Sequence, residues 1–107
     1  MQRGEVWWVC FDPSVGGEIR KTRLAIIVSN DAANRALNRV QVVPITSNTG
    51  RLYPSEAAVT LNGEPRKAMA DQLTTVSKLR LTSLEGTLSV PDMQQVEQAM
   101  RVHLDLW

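Results

Sequence analysis

A single cysteine, Cys10, and a single histidine, His103, stand among 107 residues. One cysteine can close no intrachain disulfide, and the pair cannot supply a cysteine- and histidine-based metal cluster within the chain. The acids Asp12, Glu18, Asp71 and Glu85 show no metal-ligand spacing, so neither a metal nor any other cofactor is expected. Paired-histidine catalysis is excluded within one chain, and no motif marks a serine or threonine nucleophile beside a base. Cys10 reads as inert core and His103 as a structural or surface group. No apolar run approaches the roughly 20 residues of a membrane-spanning helix. The start, Met1-Gln2-Arg3-Gly4-Glu5, has no apolar secretory core, which makes the cytoplasm the expected compartment. A net charge of only +1 argues against coating nucleic acid by bulk electrostatics.

The charge is nevertheless uneven. Residues 1–54 hold seven Lys and Arg against four Asp and Glu, and residues 55–107 hold five against seven, so a local anionic ligand on the N-terminal half is plausible. Glu5 to Phe11 alternates Val6, Trp8 and Cys10 with Glu5, Trp7, Val9 and Phe11, the period of a strand that is largely apolar on both faces. The run Leu24-Ala25-Ile26-Ile27-Val28 reads as a second strand. Between them, Asp12-Pro13 and Gly16-Gly17 supply turn chemistry, and Glu18, Arg20, Lys21, Thr22 and Arg23 supply charge and hydroxyl.

Further along, Asn30 to Leu37 fits a short helical connection with Asn30 or Ser29 as cap. Val40 to Thr46 fits a third strand in which Pro44 suggests an edge or a bulge, followed by a polar loop from Ser47 to Gly50. Glu56–Leu61 and Lys67–Leu73 read as strands joined through Asn62-Gly63, a hairpin dipeptide. Short strands are expected near 75–81 and 86–89. Ser89-Val90-Pro91-Asp92 then starts a helix whose apolar stripe is Met93, Val96, Met100, Leu104 and Trp107. Without repeat or linker, residues 1–107 are expected to form one domain with a modest core, a small barrel-like antiparallel sheet plus helices.

The polar groups suit an anionic phosphodiester. A guanidinium can grip two phosphate oxygens and stabilise a five-coordinate transition state, while hydroxyls such as those of Thr46 and Ser47 donate further hydrogen bonds. With RNA as substrate, its own 2'-hydroxyl can be the nucleophile, so neither metal nor enzyme nucleophile is required.

Arg3-Gly4-Glu5-Val6-Trp7, Phe11-Asp12-Pro13, the Gly-x-Glu ending at Glu18 and Arg23-Leu24-Ala25 together resemble the MazF/PemK/Kid toxin family. Val43-Pro44-Ile45-Thr46-Ser47, Ala70-Asp71-Gln72 and the C-terminal helix extend the resemblance over nearly the whole chain, in order. The resemblance implies a small SH3-like antiparallel β-barrel of the α+β class, with a short helix after the second strand and a C-terminal helix. It implies the toxin of a type II toxin-antitoxin system: a homodimeric, sequence-specific, metal-independent endoribonuclease, slowing growth by cutting RNA and inhibited by a cognate antitoxin. By resemblance, Arg23 takes part in proton transfer and stabilises the phosphate, Thr46 holds it, and Glu18 orients Arg23 or helps as base. An arginine, with a pKa above ~12, is a poor base, so charge stabilisation is the safer half of its role.

Arg20, Lys21, Ser47, Asn48 and Arg51 are the expected contacts for single-stranded RNA, joined by Asp71 and Gln72. Asp71 is expected to hydrogen-bond backbone in the site floor. Trp7, Trp8 and Trp107 read as packing residues. Met69 stands where some relatives carry an arginine, and Leu24 where many carry proline. Three other readings stay open: a same-fold toxin that binds a protein such as gyrase without cutting RNA, an inactive relative, and an unrelated small-ligand barrel.

Overall fold

Strands that are apolar on both faces need a core on each side. In the computed structural model, which describes residues 1–11 and 21–107, β1 (Glu5–Cys10) sends Val6 and Trp8 into one apolar cluster, while Trp7, Val9 and the following Phe11 enter a second. β2 (Thr22–Ile27) separates Leu24 and Ile26 from Ala25 and Ile27 in the same way, and β3 (Arg39–Thr46) separates Val43 and Ile45 from Val40 and Val42. Val6, Val9, Ile26, Ile27, Val40, Val42 and Val43 are fully buried, each worth about 1.5–3 kcal/mol of transfer free energy. The expected turn residues Asp12-Pro13 and Gly16-Gly17, with Glu18 and Arg20, lie outside the described residues.

The remaining strands are β4 (Glu56–Leu61), β5 (Glu64–Met69), β6 (Thr74–Ser77) and β7 (Leu81–Thr87). All pairings are antiparallel, in the order β4-β5-β3-β2-β1-β7, with β6 also on β3. β3 is therefore a central strand, contrary to the edge that Pro44 suggested. Pro44 pairs with Ala25 of β2. Along the other edge of β3, pairing with β6 ends at Val42 and pairing with β5 starts at Ile45. The proline fills that gap, where no ladder donor is needed.

Three strand boundaries differ from expectation. Asn62 and Gly63 both adopt positive φ, 51° and 81°, as a two-residue hairpin turn demands, and β5 starts directly after them at Glu64. Residues Ala70–Gln72 leave the strand as a single 3₁₀ turn. β7 begins at Leu81, directly after a second 3₁₀ turn (Lys78–Arg80). Thr82, Ser83, Leu84 and Glu85 are all exposed, so this edge strand carries little alternation to read.

α1 (Asp31–Ala36) is capped by Asn30, whose side chain accepts from Ala33 N at 2.8 Å. Asp31 Oδ1 accepts from the Arg3 backbone N–H at 2.8 Å. That bond, followed by the one from Asn34, lowers its pKa from the ordinary 3.8. α2 (Val90–Leu104) starts at the Ser89 cap with Pro91 in its first turn, and lays Met93, Val96 and Ala99 on the first core cluster. Leu104 and Trp107 do not continue the stripe. The helix packs on β4 and the first 3₁₀ turn, Asp105 ends it with φ 56°, and Leu104, Leu106 and Trp107 are exposed.

The two ends of the strand order approach each other. Asn62 Nδ2, in the β4–β5 turn, donates to the Glu85 carbonyl of β7 at 3.0 Å, so the sheet curls into a half-barrel. No helix among the described residues is long and apolar enough to cross a membrane.

Candidate active site

At one mouth of the curled sheet, β2 begins where β3 ends. Antiparallel pairing of these strands brings Thr22 and Arg23 beside Thr46 and Ser47 around a cleft of about 260 Å³, floored by Trp8, Leu24 and Ile45 and bounded by Arg66. Trp8, Leu24 and Ile45 belong to or pack on the first core cluster, so the floor is apolar and the polar groups sit on the rim. Trp8 is held there by its indole N–H, which donates to Glu85 Oε2 at 3.0 Å. Trp7 instead packs on the second cluster and donates to Glu5 Oε1.

Arg23 is exposed, and its guanidinium has no hydrogen-bond or ion-pair partner among the described residues. An unpaired guanidinium over an apolar floor is suited to an oxyanion that arrives from solution. Thr46 Oγ1 accepts from the Asn48 backbone N–H at 3.2 Å. This leaves the hydroxyl proton free to donate into the cleft. Asn48 Oδ1 in turn accepts from Gly50 N, so the loop after β3 is ordered by its own side chains.

Arg23 also lines a second cleft, of about 360 Å³, on the other side of β3, with Phe11, Lys21, Pro44, Gln72 and Thr74. The expected RNA contacts therefore divide. Ser47 lies in the first cleft and Lys21 and Gln72 in the second. Asn48 shapes the loop. Arg51 stacks over the Tyr53 ring at 5.0 Å and lines neither cleft. Asp71 is exposed outside both clefts and makes no hydrogen bond among the described residues, so the expected backbone contact is not found among them. Glu18 and Arg20 lie outside the described residues. His103 shares a 3.1 Å hydrogen bond with Ser55 Oγ, away from both clefts.

Arg66 is the residue that sequence reading missed. With β5 expected to start at Lys67, Arg66 fell ahead of the strand; the true register sets it opposite Val59 on the sheet. The signal that could have found it is the Asn62-Gly63 turn itself, because a two-residue loop places residue 64 at the start of the strand. Met69 is buried and its Sδ accepts from Gln72 Nε2 at 3.6 Å, so this position packs against the 3₁₀ turn.

Comparison with known proteins identifies the family and agrees with the fold. The profile of the family described as "PemK-like, MazF-like toxin of type II toxin-antitoxin system" matches residues 2–104. The chain is 38% identical to Endoribonuclease MazF9 of Mycobacterium tuberculosis over 116 aligned positions, spanning all of this chain and 98% of the relative. It is 30% identical to Endoribonuclease toxin MazF of Escherichia coli K12, covering 92% of this chain and 89% of that one. The solved structure of an "Endoribonuclease in complex with its cognate antitoxin from Mycobacterial species" superposes with a TM-score of 0.82 at 26% identity, covering all of this chain and 97% of the other. With that profile over nearly its whole length and a relative matched end to end, the chain belongs to the PemK-like, MazF-like toxins of type II toxin-antitoxin systems.

Proposed function

We propose that this endoribonuclease toxin cuts single-stranded RNA, sequence-specifically and without a metal, in the cleft between Arg23 and Thr46. The observation that carries the reading is that Arg23, whose guanidinium has no partner among the described residues, lines one cleft with Thr46 and Ser47. In the proposed step the 2'-oxygen attacks the adjacent phosphorus in line, and the P–O2' bond forms as the P–O5' bond breaks. The 2'-hydroxyl proton passes to a base, a role the family resemblance gives Glu18 as the alternative to orienting Arg23, and the departing O5' takes up a proton from water. The products are a 2',3'-cyclic phosphate and a 5'-hydroxyl. Arg23 stabilises the charge that builds on the non-bridging oxygens, and Thr46 donates to one of them. Lys21 and Gln72 would follow the RNA along the second cleft.

A cognate antitoxin is the proposed inhibitor, supported by the antitoxin complex of the superposed mycobacterial endoribonuclease. The proposed working form is a cytoplasmic homodimer of one-domain chains. A pure protein-binding toxin is not favoured, because it has no use for a guanidinium without a partner among the described residues, lining a cleft with hydroxyl residues.

Incubation of the purified protein with a long mixed-sequence RNA in EDTA, followed by end mapping, tests the site. Discrete cuts with cyclic phosphate and 5'-hydroxyl ends are expected, falling at least a hundredfold in Arg23→Ala, the scale of losing a transition-state donor, about 10²–10³. Intact RNA from folded, partner-free protein would overturn the reading.

A further inference from the structure

We propose that Arg66 is a second phosphate-gripping guanidinium of the Arg23–Thr46 cleft, in contact with the phosphodiester being cut. The proposal rests on that cleft being the RNA-cleaving site. Arg66 reaches it from β5, a strand that contributes no other residue to the lining. Its register opposite Val59, two residues before Ala68, puts its stem on the strand face that carries the buried Val59 and Ala68 of the first core cluster. The aliphatic stem is thereby packed at the core's edge and the charged end is delivered to the mouth.

The polar end has no internal employment. Arg66 Nε is buried and lacks a hydrogen-bond partner, and Arg66 makes no ion pair among the described residues. Other half-buried arginines here are engaged: Arg3 donates to the Val28 carbonyl and pairs with Glu97, and Arg80 donates to the Cys10 carbonyl. A buried N–H without an acceptor is costly, and in a native protein it calls for an explanation, a catalytic role or a bound ion among them.

The chemistry of the lining names that ligand. Arg23 and Arg66 both line the cleft and no carboxylate does so among the described residues. Two guanidiniums without partners among the described residues, lining one cleft with the hydroxyl residues Thr46 and Ser47, fit a phosphodiester that gains negative charge in its transition state. Arg66 also lines an adjoining groove of about 220 Å³ with Leu52 and Pro65, so RNA leaving the cleft on that side passes over it.

The test compares wild type, R23A, R66K and R66M on an RNA with one cut site. It measures kcat and KM, salt-dependent binding of the same RNA with a 2'-deoxy block at that site, and thermal melting. R66M is expected to lose about a hundredfold in kcat/KM and to flatten the salt dependence of binding by about 0.7 log units per log unit of salt, one single-strand phosphate contact. It should melt no lower than wild type, because methionine keeps an apolar stem and removes the unpaired N–H. R66K should recover part of the activity. Wild-type kcat/KM in R66M, with R23A inactive, would overturn the role of Arg66 alone. Activity lost only in proportion to a lowered melting temperature would mean that Arg66 is structural. Equal cleavage by R23A and wild type would overturn the cleft itself, and the proposal with it.

Discussion

Thr46 performs two tasks with one hydroxyl. Its oxygen accepts from Asn48 N, which turns the first residues of the loop, and its proton remains available to the cleft. Thr46→Val deletes both and is expected to cost about a hundredfold in kcat and about 1 kcal/mol of stability. Thr46→Ser keeps the hydroxyl and should retain most of the activity. Wild-type turnover in the valine variant would remove Thr46 from the mechanism. Residues such as Thr46, Ser47 and Arg23 were legible because they flank apolar strands, where a change from apolar to polar marks the strand end. Arg66 was not legible, because Glu64-Pro65-Arg66-Lys67 looks like any charged turn until its register is known.

At the scale of elements, local chemistry explains most boundaries. Asn30 and Ser89 cap the two helices, and Asn62-Gly63 takes the positive φ values of a tight turn. β7 is the exception, since both its faces are exposed along Thr82–Glu85 and its single neighbour among the described residues is β1. Gly86 of this strand has a packing reason to be glycine. A Cβ there would lie 2.9 Å from Asn62 Oδ1 and 3.0 Å from Leu61 Cδ1, and the Asn62 side chain is tethered to the Glu85 carbonyl. Gly86→Ala is therefore expected to lower stability by about 1–3 kcal/mol, the range for overpacking. An unchanged urea midpoint would show that the turn and β7 separate freely.

For the whole molecule, a chain of 107 residues is near the size at which one core gives modest stability. Leu79, Leu84, Leu104, Leu106 and Trp107 are all exposed, apolar side chains of the kind a partner chain buries. Light scattering is expected to give twice the 11.9 kDa chain mass. A mass of one chain at micromolar concentration would count against the homodimer. The exposure of Trp107 reverses its expected packing role. Helical spacing places a residue on a stripe, but only the footprint of β4 and the 3₁₀ turn decides where that stripe stops being covered.

The sequence by itself determined whatever rests on interactions within a few residues: the period of β1 to β3, both helix caps, the hairpin dipeptide, and the polar loop that carries Thr46 and Ser47. Tertiary structure decided which polar ends share a cleft. Strand register and sheet curl depend on cross-strand packing over long separations, and a small slip moves every side chain along or across the sheet. Arg23 and Thr46 meet because β2 and β3 are paired antiparallel, a neighbourhood that the strand order suggests. Arg66 joins them only because β5 returns along β3 in one register, with its stem on the core and its guanidinium at the mouth.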